Sequence, residues 1–123
     1  MRVYLTARYA RREEMEGYTN LLKEDGHEVT ARWVYGGETG LSDEDIALLD
    51  YDDVEAANLV VGFTDPYDSL NKGGARHFEL GLGHALGAAT YIVGPREIVF
   101  HHLPEIEQFD TFEEFRKEIL QYV

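Results

Sequence analysis

Lys72-Gly-Gly-Ala-Arg-His-Phe-Glu-Leu-Gly-Leu-Gly-His-Ala-Leu-Gly87 lies between two short apolar runs, Asn58 to Thr64 and Thr90 to Val93. Parallel strands need a long crossover, so two strand-like runs on either side of a helical stretch predict a parallel βαβ unit. Phe78, Leu82, Ala85, Leu86 and Ala89 recur at helical spacing and are expected to face the sheet. A glycine inside a helix costs about 1 kcal/mol relative to alanine. Gly81, Gly83 and Gly87 therefore predict close approach by another group, a small ligand or a neighbouring helix. Glu79 falls in the first turns, where free backbone N–H groups and the helix dipole favour its charged form. An ionised carboxylate so placed can act as a nucleophile, although glutamate also stabilises first turns with no chemistry attached.

On either side of this unit the same alternation continues. Arg2-Val-Tyr-Leu-Thr6 reads as a buried first strand. A loop from Ala7 to Arg12 leads to a helix with Met15, Tyr18, Leu21 and Leu22 on one face, stopped near Asp25-Gly26. His27 to Val34 alternates, with Val29, Ala31 and Trp33 on one side, and predicts a second, less buried strand. Gly36, Gly37 and Gly40 make the next connection flexible enough to serve as a lid. Ser42 with Asp45 opens a helix through Ile46, Leu49, Asp53 or Val54, and Ala57. Most of its acids, Asp50, Asp52 and Asp53, are expected in solvent. After Asn58 to Thr64, Asp65-Pro66-Tyr67-Asp68 ends the third strand.

Beyond the glycine-rich helix and the fourth strand, Gly94-Pro95-Arg96 breaks the chain, Ile98 to Leu103 forms a helical turn and Ile106 to Phe109 a fifth strand. Asp110-Thr111 with Glu114 caps a last helix carrying Phe112, Phe115, Ile119 and Leu120. The expectation is a doubly wound α/β three-layer sandwich, flavodoxin-like or Rossmann-like, with a mainly parallel five-stranded sheet and helices on both faces. At 123 residues the chain, 1–123, is expected to form one domain, with no repeat or linker.

With 24 acidic against 11 basic residues and a formal charge of −13, the chain is not expected to bind nucleic acid. Arg8, Arg11, Arg12, Arg32, Lys72, Arg76 and Arg96 nevertheless follow strands, at the sheet edge where open α/β folds bind ligands. A basic rim there suggests a small anionic ligand such as a phosphate. There is no cysteine, hence no disulfide and no thiolate zinc site. The five histidines, His101-His102 included, lack metal-ligand spacing, so neither metal nor cofactor is expected. No run approaches membrane-spanning length, and Met1-Arg-Val-Tyr-Leu5 lacks the apolar core of a signal peptide; a soluble, cytoplasmic protein is expected.

Gly81-Leu-Gly-His-Ala-Leu-Gly87 is no dinucleotide fingerprint, because it falls inside a helix and not on the turn after the first strand. A phosphate-accepting receiver domain would carry acids where this chain has Thr6-Ala7-Arg8. Three other pieces, taken together, carry a likeness. Val3-Tyr-Leu-Thr-Ala7, Asp50 eight residues ahead of Asn58-Leu-Val-Val-Gly62, and Phe78-Glu-Leu-Gly81 before an alanine-containing helix resemble the nucleoside 2-deoxyribosyltransferase superfamily, which includes the 2'-deoxynucleoside 5'-monophosphate N-glycosidases.

The resemblance runs from Arg2 to about Pro95. It implies that Glu79 is the nucleophile at the anomeric carbon, Asp50 the acid beside the leaving base, and Tyr4 the phenol that orients the nucleophile. Cleaving an N-glycosidic bond builds positive charge on the sugar, which a carboxylate can capture, while a protonated base leaves more readily. Tyr4 would otherwise be a core aromatic with a satisfied hydroxyl. The chain departs from the family pattern at Gly73, where its transferases often carry an acid and its phosphate-specific hydrolases a serine. Asn58 likewise stands where an aspartate is frequent.

Arg8, Tyr9, Arg11 and Arg76 are expected to bind substrate, with the N–H groups of Gly73 and Gly74 as an anion nest, favouring a nucleotide. The expected partner is a small nucleoside or nucleotide and the expected assembly a homo-oligomer, with the glycine-rich helix and the aromatic C-terminal segment as interface. Two alternatives stand beside it: a non-catalytic nucleotide-binding or sensing module, and a cytokinin-activating-type phosphoribohydrolase suggested by Gly73-Gly74 ahead of Glu79.

Overall fold

The computed structural model describes residues 1–66 and 73–121. β1 (Arg2–Thr6), β2 (Glu28–Val29), β3 (Leu59–Phe63), β4 (Ala89–Val93) and β5 (Glu107–Phe109) form one sheet in the order β2-β1-β3-β4-β5, with every pair parallel. The strand order reverses between β1 and β3, which opens a crevice at their carboxyl ends. On one face lie α1 (Arg12–Glu24) and α4 (Phe112–Phe115, continued by a wider turn over Arg116–Leu120), where Tyr18 stacks on Phe112 at 4.0 Å between ring centroids. The other face carries α2 (Asp43–Glu55) and α3 (Ala75–Ala85). This is the three-layer α/β sandwich expected from the pattern. Among the described residues no helix is long and apolar enough to cross a membrane.

Side chains alternate across β1, and the two faces do different work. Val3 and Leu5 are fully buried on one side, while Tyr4 and Thr6, equally buried, point toward α3. In register with them, Tyr4 pairs with Val60 and Thr6 with Gly62 on β3. α3 seats its Leu80 over Gly62 and its Gly83 over Val60, so a β-carbon at Gly83 would sit 2.5 Å from a Val60 methyl. That contact sets the height of α3 above the sheet.

It also corrects the expected face of α3. The buried positions are Arg76, Leu80 and Gly83, whereas Phe78 is 65% exposed and Leu86 and Ala85 also face outward. A helix that approaches its sheet through a glycine turns its bulkier apolar residues away. Of the three glycines singled out, only Gly83 meets a close neighbour; Gly81 touches nothing within 4 Å, and Gly87, outside the helix at φ +90°, serves as its left-handed stop.

The second strand is much shorter than the expected His27 to Val34. Pairing with β1 ends at Val29, and the chain winds into a 3-10 turn over Arg32–Tyr35. The groups that would extend the ladder are taken elsewhere: the Arg32 N–H and guanidinium bind the Asp53 carboxylate, and the Trp33 indole donates to the Leu5 carbonyl at 2.8 Å. Asp53 is accordingly buried, at 5% exposure, and not in solvent as its helix pattern suggested. Ser42 caps α2 by accepting the Asp45 N–H, and Thr111 caps α4 through Glu114, both as expected. Phe112 and Phe115 fill the core, so these two rings of the aromatic C-terminal segment are not exposed for an interface, while Tyr122 lies outside the described residues.

Gly83→Ala should lower unfolding stability by about 1–3 kcal/mol through overpacking against Val60. Gly81→Ala, facing open space, should raise it by about 0.5–1 kcal/mol through helix propensity. Urea unfolding of the two variants beside the wild type checks the pair.

Candidate functional site

Three side chains far apart in the chain converge at the crevice between β1 and β3. Tyr4 donates its hydroxyl to Glu79 Oε2, and Thr6 donates to Glu79 Oε1 at 2.7 Å. Both donors come from the same face of one strand, two residues apart, so they reach the two oxygens of one carboxylate together. Hydrogen bonds to a charged acceptor contribute about 1.5–3 kcal/mol each, and these two hold the carboxylate at a fixed angle. Tyr4 is thus fully buried with its hydroxyl spent on Glu79, which also pushes its ionisation upward together with burial.

Burial raises the Glu79 carboxyl above the ordinary glutamate range, against the opposing pull of the Tyr4 and Thr6 hydroxyls. The expected stabilisation of its charge by the α3 N-terminus is therefore outweighed. Glu79 sits a full turn into the helix, beyond the first N–H groups that lack intrahelical acceptors.

Glu79 opens into a cavity of about 220 Å³ together with Asp50, Glu38, Tyr9, Trp33 and Ile46. Asp50 lies on α2 across the cavity, and burial, with the negative charge of Glu79 and Glu38, pushes its carboxyl up to about 7. Burial pushes both carboxyl groups upward, but Glu79 alone receives hydroxyl donors, from Tyr4 and Thr6, that favour its charged form. That asymmetry is suited to one group serving as acid beside a charged partner. The Tyr9 and Trp33 rings lie 6.4 Å apart at 38° on the cavity wall. The cavity continues on one side into an apolar groove between α2 and α3 that includes Phe78 and Leu82, of about 310 Å³. On the other side it continues into a space of about 330 Å³ lined by Arg8, Tyr9, Gly73 and Arg76.

The expected basic rim is largely neutralised. Arg8 makes two hydrogen bonds to Asp65, at 2.8 and 3.1 Å, while Arg76 binds Glu97 and the Gly73 carbonyl. Arg11 is held by Glu14 and by the Thr64 carbonyl and does not line the cavity. Arg12, Arg32 and Arg96 are held by the Val34 carbonyl, by Asp53 and by the His101 carbonyl. Lys72 lies outside the described residues. Gly74 is the N-cap of α3.

Behind Glu97, His101 accepts the Glu97 and Ile98 N–H groups on Nδ1, at 2.9 and 3.3 Å. Burial pushes this imidazole down to about 4, so it is a neutral brace at neutral pH. Among the described residues no cluster of three histidine or acidic side chains is placed to hold a metal.

Sequence reasoning missed Thr6, Glu38, Trp33, Asp65 and Glu97. Thr6 was legible, since a residue two beyond Tyr4 on a strand shares its face. Glu38 gave no signal beyond the glycines around it, at φ +76°, +92° and +88° for Gly36, Gly37 and Gly40.

No protein-family profile matches the chain, and no curated protein does. Solved structures do. A CMP N-glycosidase from Clostridium botulinum, BcmB, superposes with a TM-score of 0.65 at 20% identity, over 95% of this chain and 96% of that one. A 2-deoxyribosyltransferase from Bacillus psychrosaccharolyticus gives 0.71 at 18% identity, over 99% and 95%. A 2-deoxyribosyltransferase from Leishmania mexicana gives 0.64 at 18%, over 97% and 99%. This chain shares, along nearly its whole length, the fold of those transferases and of that N-glycosidase.

Proposed function

We propose that the protein cleaves or transfers the N-glycosidic bond of a nucleoside or its 5'-monophosphate through a covalent glycosyl-Glu79 intermediate. The observation that carries this reading is the Glu79 carboxylate, gripped by Tyr4 and Thr6 and facing Asp50 across a cavity walled by Tyr9 and Trp33. The activities named for the three similar structures point the same way.

In this scheme a Glu79 oxygen attacks the anomeric carbon as the base departs, and Asp50, protonated near neutral pH, delivers a proton to the base. Tyr4 and Thr6 keep the attacking carboxylate aimed. The base stacks against Tyr9 and Trp33. Water completing the second half makes the protein a hydrolase, and a second base makes it a transferase. A 5'-phosphate would lie in the space beside Arg8 and Arg76, near the first N–H groups of α3, Gly73 and Gly74 included.

The protein would then act as a small-molecule enzyme of the cytoplasm, formed of one domain and needing no cofactor. We also propose that it self-associates through the outward apolar face of α3, where the exposed Phe78 lines one groove with Phe100, itself 66% exposed. Sedimentation should show a dimer or larger species that Phe78→Asp converts to monomer.

Incubating the protein with deoxynucleosides and deoxynucleotides, with and without a second free base, should release or exchange base on chromatography. Glu79→Ala should lower the rate about a thousandfold or more, Asp50→Asn about a hundredfold, and Tyr4→Phe about tenfold. Undiminished turnover by Glu79→Ala would remove the proposed nucleophile.

The rate should fall on the alkaline side as Asp50 loses its proton near pH 7, and on the acid side as Glu79 is protonated; Asp50→Asn should abolish the alkaline limb. Stability follows the same groups. The folded state holds the Asp50 proton more tightly than the unfolded chain, so its contribution is full below about pH 4 and is lost as pH rises through about 7. The melting temperature of Asp50→Asn should therefore gain on the wild type between pH 4 and pH 8.

A further inference from the structure

Asp65 and Glu97 stand apart from the cavity of Asp50 and Glu79, and the glycosidic scheme gives them no part. Asp65 takes two hydrogen bonds from Arg8 and has Arg11 and Arg76 at 3.6 and 3.9 Å. It donates its N–H to Glu97 Oε1 at 3.0 Å. Glu97 Oε2 in turn accepts from Arg76 and meets His77 Nε2 at 3.1 Å. Arg8, Arg11 and Arg76 are thus met one for one by Asp65, Glu14 and Glu97.

The donors left over are few. A guanidinium carries five N–H groups on three nitrogens. Arg76, nearly all buried, spends Nη1 on the Gly73 carbonyl and Nη2 on Glu97, while its Nε is shut off from solvent. Arg8 spends Nε and Nη2 on Asp65, which leaves Nη1 open to solvent and without a hydrogen bond among the described residues. Of the two guanidiniums lining the space beside Gly73, one nitrogen therefore remains for a ligand.

We infer that Asp65 and Glu97 are positioning residues that disarm Arg8 and Arg76, so that the protein takes substrates ending in a free 5'-hydroxyl and discriminates against the 5'-phosphate. This inference rests on the glycosidic reading and names its substrate class. Guanidinium holds a phosphate through charge-assisted, often bidentate, contacts. Here carboxylates already fill those positions, and a dianion would approach the two negative charges that back them. The three ion pairs sum to zero and the chain carries −13, so no long-range attraction offsets the repulsion. The α3 N-terminus supplies roughly half an elementary charge against the two of the dianion. A 5'-hydroxyl is neutral, accepts one N–H from Arg8 Nη1, and leaves Asp65 and Glu97 with the partners they have.

The test reads binding in the Glu79→Ala protein and turnover in the wild type, with deoxycytidine, deoxyadenosine and their 5'-monophosphates as probes. At about pH 7.5, where the phosphate is mostly dianionic, calorimetry should show each nucleoside binding at least about tenfold tighter than its monophosphate. Adding Glu97→Gln, which keeps an acceptor for Arg76 but removes its counter-charge, should raise the affinity of monophosphate relative to nucleoside at least about tenfold. Asp65→Asn should do the same through Arg8, whereas Glu97→Asp, which keeps the charge, should retain the discrimination. In turnover the Glu97→Gln change should lie in KM for the monophosphate, with its kcat within about threefold. Inorganic phosphate should raise the melting temperature of Glu97→Gln and not that of the wild type, whatever the starting stability of the variant. Monophosphates bound as tightly as nucleosides by the Glu79→Ala protein, no binding of either class, or a ratio unchanged in both acid variants would overturn it. Base release from both classes with equal efficiency sinks the inference alone. The binding preference without base release sinks the glycosidic reading and leaves the assignment of the 5' end standing.

Discussion

A buried carboxylate held by two hydroxyls from one strand is the constraint around which the crevice is built. Glu79 reaches Tyr4 and Thr6 only because α3 rides low on the sheet, and α3 rides low only because Gly83 offers no β-carbon to Val60. The helix thus gives up propensity in its last turns to place an acid in its second. Burying a carboxylate is expensive unless hydrogen bonds replace the lost water, and here the donors are fixed by the register of β1 with β3.

The electrostatics of the molecule follow a rule of internal pairing. An acidic chain with seven arginines and lysines after its strands could have displayed a positive surface, yet Asp65 and Glu97 draw Arg8 and Arg76 into a network across the ends of three strands. Arg76 is only 6% exposed, so its charge acts within the protein before it acts on any ligand. In the cavity, by contrast, Glu38, Asp50 and Glu79 come together with no arginine or lysine among the described lining residues.

Most of the architecture could be read from spacing. The apolar runs of β1, β3 and β4 and the capping serines and threonines place nearly every element, because period and caps are local signals. What failed was phase and length. The helical spacing of Phe78, Leu82, Ala85 and Leu86 named that face as inward, whereas steric fit turned the side of Leu80 and Gly83 inward. The second strand stopped early because Asp53 and Trp33, distant in sequence or in role, competed for its hydrogen bonds. In the site, Glu79, Asp50 and Tyr4 were legible through their motif contexts, but Glu38 sits on a loop whose path only tertiary structure defines.

The first crossover is clasped by the last helix. Tyr18 lies on Phe112, the His27 ring meets the Leu120 carbonyl at 3.2 Å, and Asp25 takes both arms of the Arg116 guanidinium. A ribosome making this chain delivers β1 and α1 well before the clasp, so α1 must wait, half its apolar face uncovered, until all five strands are made and residues 112–120 emerge. Cooperative closure is therefore deferred until after the last strand of the sheet has been made.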